Sequence, residues 1–169
     1  MLSSRQPRLI TQLQRTVPAG VNGGVTSLGM AASAAGGLCM GLAVAVTGWF
    51  TGETQTMGLL VREALQQQTL IPAVLSAALP EGVQVGLCWL GLSLLCGLGG
   101  SVVDSVLGAT VQFSGCDPST GKVVAQPGQG VQHISGRPWL SNDAVNATSA
   151  TLTSLAAAAI GAALAAGAQ

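Results

Sequence analysis

Charge is what this sequence has least of. Asp, Glu, Lys and Arg make up 7% of its 169 residues, against about 25% in an ordinary soluble domain. Too few charges remain to coat the surface of a soluble enzyme domain. Six basic residues balance six acidic ones. No nucleic-acid partner is expected, because that partner demands a basic footprint. Disorder is excluded as well, since it needs high charge and low hydrophobicity. Metal ligands are also scarce. There is one histidine, His133, and none of the four cysteines (Cys39, Cys88, Cys96, Cys116) forms a CxxC pair. Three of them lie inside apolar runs and read as buried small hydrophobes. What the chain does have is apolar length: 49% hydrophobic residues, 24 glycines and a mean hydropathy of +0.56. The composition describes a single small membrane domain whose first partner is the lipid bilayer.

Three uncharged runs carry the expected spans. Residues 28–50 are long enough to cross a hydrocarbon core of about 30 Å as a helix. Trp49 and Phe50 close this run where aromatic anchors sit. Gly37 and Gly41 inside it either admit a second helix closely or reflect only an Ala/Gly-rich composition. Residues 83–103 are uncharged and meet Asp104, with the helix expected to run over 83–110. The last span is expected over 142–168, alanine-dominated and packed against its neighbours. Ser141, Asn142 or Asp143 would cap it after Pro138. Residues 69–79 are too short to span and read as an interfacial piece within a loop over 51–82. Residues 1–27 form an N-terminal segment, and 111–141 a polar loop with a hairpin turn at Asp117–Gly121. The expected fold class is an all-α membrane protein of about three transmembrane helices with a short cytosolic hairpin loop. Arg5, Arg8 and Arg15 then share one side with Lys122 and Arg137, which makes that side cytosolic or stromal by the positive-inside rule. Residues 1–20 also loosely fit an organelle transit peptide, and lack the apolar region of a signal peptide.

In so apolar a chain the polar residues inside spans are the informative ones. Gly97, Ser101, Asp104, Ser105, Gly108 and Gln112 recur at spacings of three and four and share one helix face. A carboxylate near lipid is costly, so Asp104 should face protein, water or a ligand. Either it serves a site, or it is a structural carboxylate capped by backbone or paired with Arg137. Asn142, Asn146, Ser149 and Thr153 make a second stripe on the last helix. The two stripes line one polar cavity or simply pack on each other. The Asn22-Gly23-Gly24 loop before the first span can cradle a phosphate with backbone N–H groups, or it is an ordinary turn with Asn in the left-handed region. His133, with Lys122 and Arg137, either binds an anionic headgroup or is an exposed loop histidine. Gly115 to Lys122 mimics a Walker loop. It has one residue too many between its glycines, and Val123 where a Ser or Thr must stand.

Three longer motifs carry a resemblance. They are Gly100-Ser-Val-Val-Asp104-Ser105-Val-Leu-Gly108-Ala-Thr-Val-Gln112, Asp117-Pro-Ser-Thr-Gly-Lys122-Val-Val124 and His133-Ile-Ser-Gly-Arg137-Pro-Trp-Leu-Ser-Asn142-Asp-Ala-Val-Asn146. Pro7-Arg-Leu-Ile-Thr11 and Val17-Pro-Ala-Gly-Val-Asn22-Gly23-Gly24-Val-Thr26 extend it. Together they resemble the transmembrane protein 19 family, whose wider group includes the plant phytyl-phosphate kinase. The resemblance implies a multi-pass protein of an endomembrane or the chloroplast envelope. By analogy, it phosphorylates a prenyl phosphate from a nucleoside triphosphate with Mg2+. It would use Asp104 (also as metal ligand), Ser105, Asn142 and Asn146 in catalysis. Asn22, Gly23, Gly24, Lys122, His133 and Arg137 would hold phosphate. The alternatives are a non-enzymatic membrane protein, transporter-like or structural, and an inactive C-terminal fragment. Family members carry further spans before the Pro-Arg-Leu-Ile-Thr motif. The chain is therefore expected to be a C-terminal half and a partial bundle, partnered by the missing N-terminal half or by a second copy.

Overall fold

The computed structural model describes residues 6–51 and 80–166. Three long helices dominate it. The first, α1 (Ser27–Thr51), begins where the Thr26 hydroxyl accepts the Gly29 amide at 3.0 Å, an N-cap bond. At 1.5 Å per residue its 25 residues extend about 38 Å. The second, α2 (Glu81–Val111), starts after Pro80, whose carbonyl accepts the Val83 and Gln84 amides. The third, α3 (Asn142–Ala166), is capped by Ser141, whose hydroxyl accepts the Ala144 amide at 3.2 Å. Residues 69–79, read as an interfacial piece, lie outside the described residues.

Six short strands correct the all-α expectation. β1 (Arg8–Leu9), β2 (Gln12–Thr16) and β3 (Gly24–Val25) form an antiparallel sheet in the order β2-β1-β3. β4 (Ser114–Asp117), β5 (Lys122–Val124) and β6 (Gln132–Ser135) form another, ordered β5-β4-β6. With two to five residues each, these strands are too short to show the alternation by which a strand is read. They occupy the N-terminal segment and the polar loop.

The described chain divides into two units: residues 6–33 with 98–153, and residues 34–51, 80–97 and 154–166. The first, the sheet unit, contains both sheets and a small core of Leu9, Val17, Val21 and Ala109, packed by Ile10, Val123 and Ile134. The second, the helical unit, has no strands among its described residues. There α1 meets α2 backbone to backbone. A Cβ added at Gly37 would lie 2.5 Å from the Ser93 carbonyl oxygen. One added at Gly41 would lie 3.0 Å from the Leu90 Cα and the Trp89 carbonyl oxygen. These glycines therefore serve close helix approach.

Among the described residues, α1 and residues Gly82–Val111 of α2 are long and apolar enough to cross a bilayer. Only 11% and 6% of their most apolar stretches are buried, so they are not the core helices of a soluble fold. Met40, Leu42, Trp49 and Phe50 on α1 and Leu87 and Leu95 on α2 are exposed, as a hydrocarbon solvent requires. The cysteines follow suit. Cys39 on α1 is exposed and Cys88 and Cys96 on α2 are half-buried, on helices whose apolar side chains find lipid as well as protein, and Cys116 is half-buried on β4. None of them is a core residue.

A candidate site at the polar seam of two helices

Within the sheet unit, α2 and α3 are joined by polar side chains. Asp104 lies seven residues, about 10 Å of helix, before the end of α2. It is half-buried, and its Oδ1 accepts the Ser149 hydroxyl at 3.3 Å. The same hydroxyl lies 3.0 Å from the Asn146 carbonyl, so its one proton is shared between two acceptors. Nearer the helix end the buried Gln112 donates to the Asn142 Oδ1 at 3.4 Å. Gly100 lets Thr153 approach: a Cβ there would be 3.3 Å from the Thr153 hydroxyl. Only Asp104 and Gln112 of the first stripe thus meet the second, whereas Ser101 bonds Ser33 on α1 and Gly108 packs on the 22–24 loop. Asn142 and Asn146 are otherwise exposed. Arg137 does not reach Asp104. Its guanidinium sits 5.0 Å over the Trp139 ring, and the carboxylate faces Ser149, so the pairing of Asp104 with Arg137 is not what the structure shows.

On its other side α2 meets the 22–24 loop. Gly23, at a φ of +76°, packs on the Ser105 carbonyl and Ala109, leaving no room for a side chain. Among the described residues no non-glycine residue has a positive φ, so Gly23, not Asn22, makes the left-handed turn. The Asn22 amide donates to the Ser114 hydroxyl at 2.9 Å and its Nδ2 to the Phe113 carbonyl at 3.0 Å. The Gly24 amide donates to the Val21 carbonyl. Two of the loop's three backbone donors are therefore already occupied. The loop ties the first sheet's segment to the start of β4.

The remaining candidates are dispersed. Lys122 is exposed opposite Asp117 in the hairpin. His133 donates its Nε2 proton to the Gly136 carbonyl at 2.7 Å and rests against Phe113, ring centroids 5.4 Å apart. Gly136, at φ +69°, abuts the Gln112 backbone so closely that any Cβ would overlap it. The following residues close the end of α2. The Arg137 amide donates to the Thr110 carbonyl, and those of Trp139 and Leu140 to the Val111 carbonyl, satisfying acceptors a helix end leaves open. Sequence reasoning passed over Ser114, fully buried, and Ser135, whose buried hydroxyl has no hydrogen-bond partner among the described residues. Nothing local marks either serine, since Ser114 and its partner Asn22 stand 92 residues apart.

The seam brings together one carboxylate, hydroxyls and amides. Among the described residues no three His, Cys, Asp or Glu side chains gather where they could hold a metal ion. Asp104 alone falls short of the oxygen shell that magnesium takes, so the described residues do not fit that ion by themselves. The seam can hold a polar group by hydrogen bonds and present one negative charge at a span end.

Comparison with known proteins narrows the setting. The family described as integral membrane protein DUF92 matches residues 1–154. Protein PGR of Arabidopsis thaliana is 41% identical over 154 residues, covering 91% of this chain and 45% of that protein. The chain thus spans about half the length of this curated relative. No solved structure matches. Exposed apolar helices, a polar seam at a span end and a family match over nearly the whole sequence agree: the chain belongs to the DUF92 family of integral membrane proteins.

Proposed function

We propose that this is a multi-pass protein in which α3 forms a third crossing, and that the exposed amides of the seam handle the phosphate end of an isoprenoid phosphate while Asp104 would meet the magnesium carried by the nucleoside triphosphate. The reaction is phosphorylation of that monophosphate by a nucleoside triphosphate. The likeness of its motifs to transmembrane protein 19, in a group that includes phytyl-phosphate kinase, supports this reading. So does one structural observation: a half-buried carboxylate stands at the end of a helix otherwise free of charge after Glu81. Such a residue is a functional-site hypothesis by default. In the transfer, the bond from the γ-phosphorus to the nucleotide's bridging oxygen breaks, and one to the acceptor phosphate oxygen forms. An acceptor that is already ionised needs no strong base, which suits a seam of hydroxyls and amides. Asn142 and Asn146 offer exposed amide donors to the acceptor. Ser105 stands next to Asp104 in the sequence of α2, on the side that meets Gly23.

A non-enzymatic reading rests on the Ser149–Asp104 and Gln112–Asn142 bonds, which by themselves explain these residues as ties between helices. The test is phosphorylation of phytyl or farnesyl phosphate by labelled nucleotide in membranes carrying the full-length family protein. Under the kinase reading, Asp104→Asn abolishes turnover with its thermal midpoint nearly unchanged. Turnover of Asp104→Asn equal to an active parent's sinks the assignment of the site to Asp104, and no turnover in the parent sinks the kinase. A lowered midpoint without any parent turnover leaves Asp104 as a structural tie.

A further inference from the structure

We propose that Arg137, Trp139 and Leu140 form an interfacial anchor that seats the segment before α3 in the headgroup layer of an anionic bilayer leaflet. Three observations converge on it. The segment is tied to the end of a spanning helix by the backbone bonds from Arg137, Trp139 and Leu140 to Thr110 and Val111. The segment is therefore held at the end of that helix. Trp139 is 65% exposed and Leu140 37%, although the backbone of both is tied to the end of α2. Arg137 is exposed, and no ion pair joins it to a carboxylate among the described residues. Its guanidinium instead lies over the Trp139 ring.

An indole half in hydrocarbon and half in water is the usual interfacial arrangement. A guanidinium over its ring offers several donors to phosphate oxygens. The carboxylates closest in sequence do not oppose this. Asp143 lies in the first turn of α3, where a negative charge suits the helix N-terminus. Asp117 is occupied by the Ser119 and Thr120 hydroxyls. The occupant of the patch is thus the phosphate of an anionic lipid headgroup, whose charge no choline cation offsets.

Trp139 itself can report the depth. A Trp49→Phe/Trp89→Phe chain keeps it as the single tryptophan. If that variant misfolds, the difference between the parent and Trp139→Phe isolates the same signal. The protein is reconstituted in phosphatidylglycerol/phosphatidylcholine vesicles carrying bromine near the top or near the end of the acyl chains. Expected is stronger quenching by the shallow label than by the deep one, with little quenching by aqueous iodide. Arg137→Gln should reduce the shallow quenching in the anionic vesicles and leave it unchanged in pure phosphatidylcholine. Free quenching by iodide with none by either lipid overturns the anchor, and so does dominant quenching by the deep label. An Arg137→Gln chain identical to the parent in anionic vesicles overturns the part given to headgroup phosphate.

Discussion

The sheet unit and the helical unit are made from the same polypeptide and hold together by different means. In the sheet unit, contacts are polar and specific: Asn22 to Phe113 and Ser114, Ser33 to Ser101 at 3.0 Å, Ser149 to Asp104. Glycines there set backbone direction, as at Gly23 and Gly136 with their positive φ. In the helical unit, glycines at ordinary helical angles remove side chains so that backbones can touch, as at Gly37 and Gly41. Lipid offers no hydrophobic drive between helices, so close packing and hydrogen bonds across them are both means of holding such helices together.

The largest effect is expected at Gly136. Gly136→Ala places a methyl group on the Gln112 carbonyl and forces an L side chain into a φ of +69°. The backbone term alone is about 1–2 kcal/mol, and the overlap adds to it. The variant should fail to accumulate or lose most of its thermal midpoint in detergent. Gly121, at φ +67° with nothing within 4 Å of an added Cβ, is the control. Gly121→Ala should show the backbone term only. Equal loss in both would mean that the contact with Gln112 carries nothing.

A second experiment probes the helical unit with adjacent residues. Gly37→Leu drives a side chain into the Ser93 backbone, whereas Gly36 has nothing within 4 Å. Overpacking of this kind typically costs about 1–3 kcal/mol. Gly37→Leu should lower the midpoint in detergent accordingly, and Gly36→Leu should leave it near the parent. The reverse order would show that α1 and α2 do not meet at this face.

Smaller effects are expected at the hydrogen bonds. Asn22→Ala leaves the Phe113 carbonyl without its side-chain donor and should cost about 1 kcal/mol. Ser149→Ala loses the bond to Asp104, for which bonds between membrane helices average about 0.6 kcal/mol. Chemical unfolding in mixed micelles distinguishes them. A Ser149→Ala loss larger than that of Asn22→Ala would mean Asp104 depends on this bond to remain in the seam.

How much of this was legible follows the same division. The helices announce themselves by charge-free length: α1 is expected over 28–50 and observed over Ser27–Thr51. Asp104 was conspicuous as a carboxylate in an apolar helix, and its partner Ser149 already stood in the second stripe. The turn at Asp117–Gly121 marked the β4–β5 hairpin, but the first sheet was hidden, because a two-residue strand such as Arg8–Leu9 has no periodicity, and its pairing depends on Val25 and Thr16 across turns. The 22–24 loop was misleading for a physical reason. A glycine loop before a helix offers free amides in sequence, and only the distant Ser114 and the local Val21 turn reveal them as occupied.

The smallest expected effect sits at the exposed hairpin turn and separates polar order from stability. The Ser119 hydroxyl and amide, with the Thr120 hydroxyl, hold the Asp117 carboxyl below the usual aspartate range. A folded pKa below the unfolded one means the turn gains stability above the ordinary aspartate pKa. That gain is lost as pH falls through the lowered value. The group is fully exposed, so screening by water keeps the global effect small. Acidification should therefore shift the Ser119 amide resonance and speed its hydrogen exchange while the thermal midpoint stays in place. Asp117→Asn should abolish that pH dependence. A midpoint that follows the Ser119 titration would instead show that the β4–β5 turn helps hold the core around Val123, linking hairpin order to the stability of the whole sheet unit.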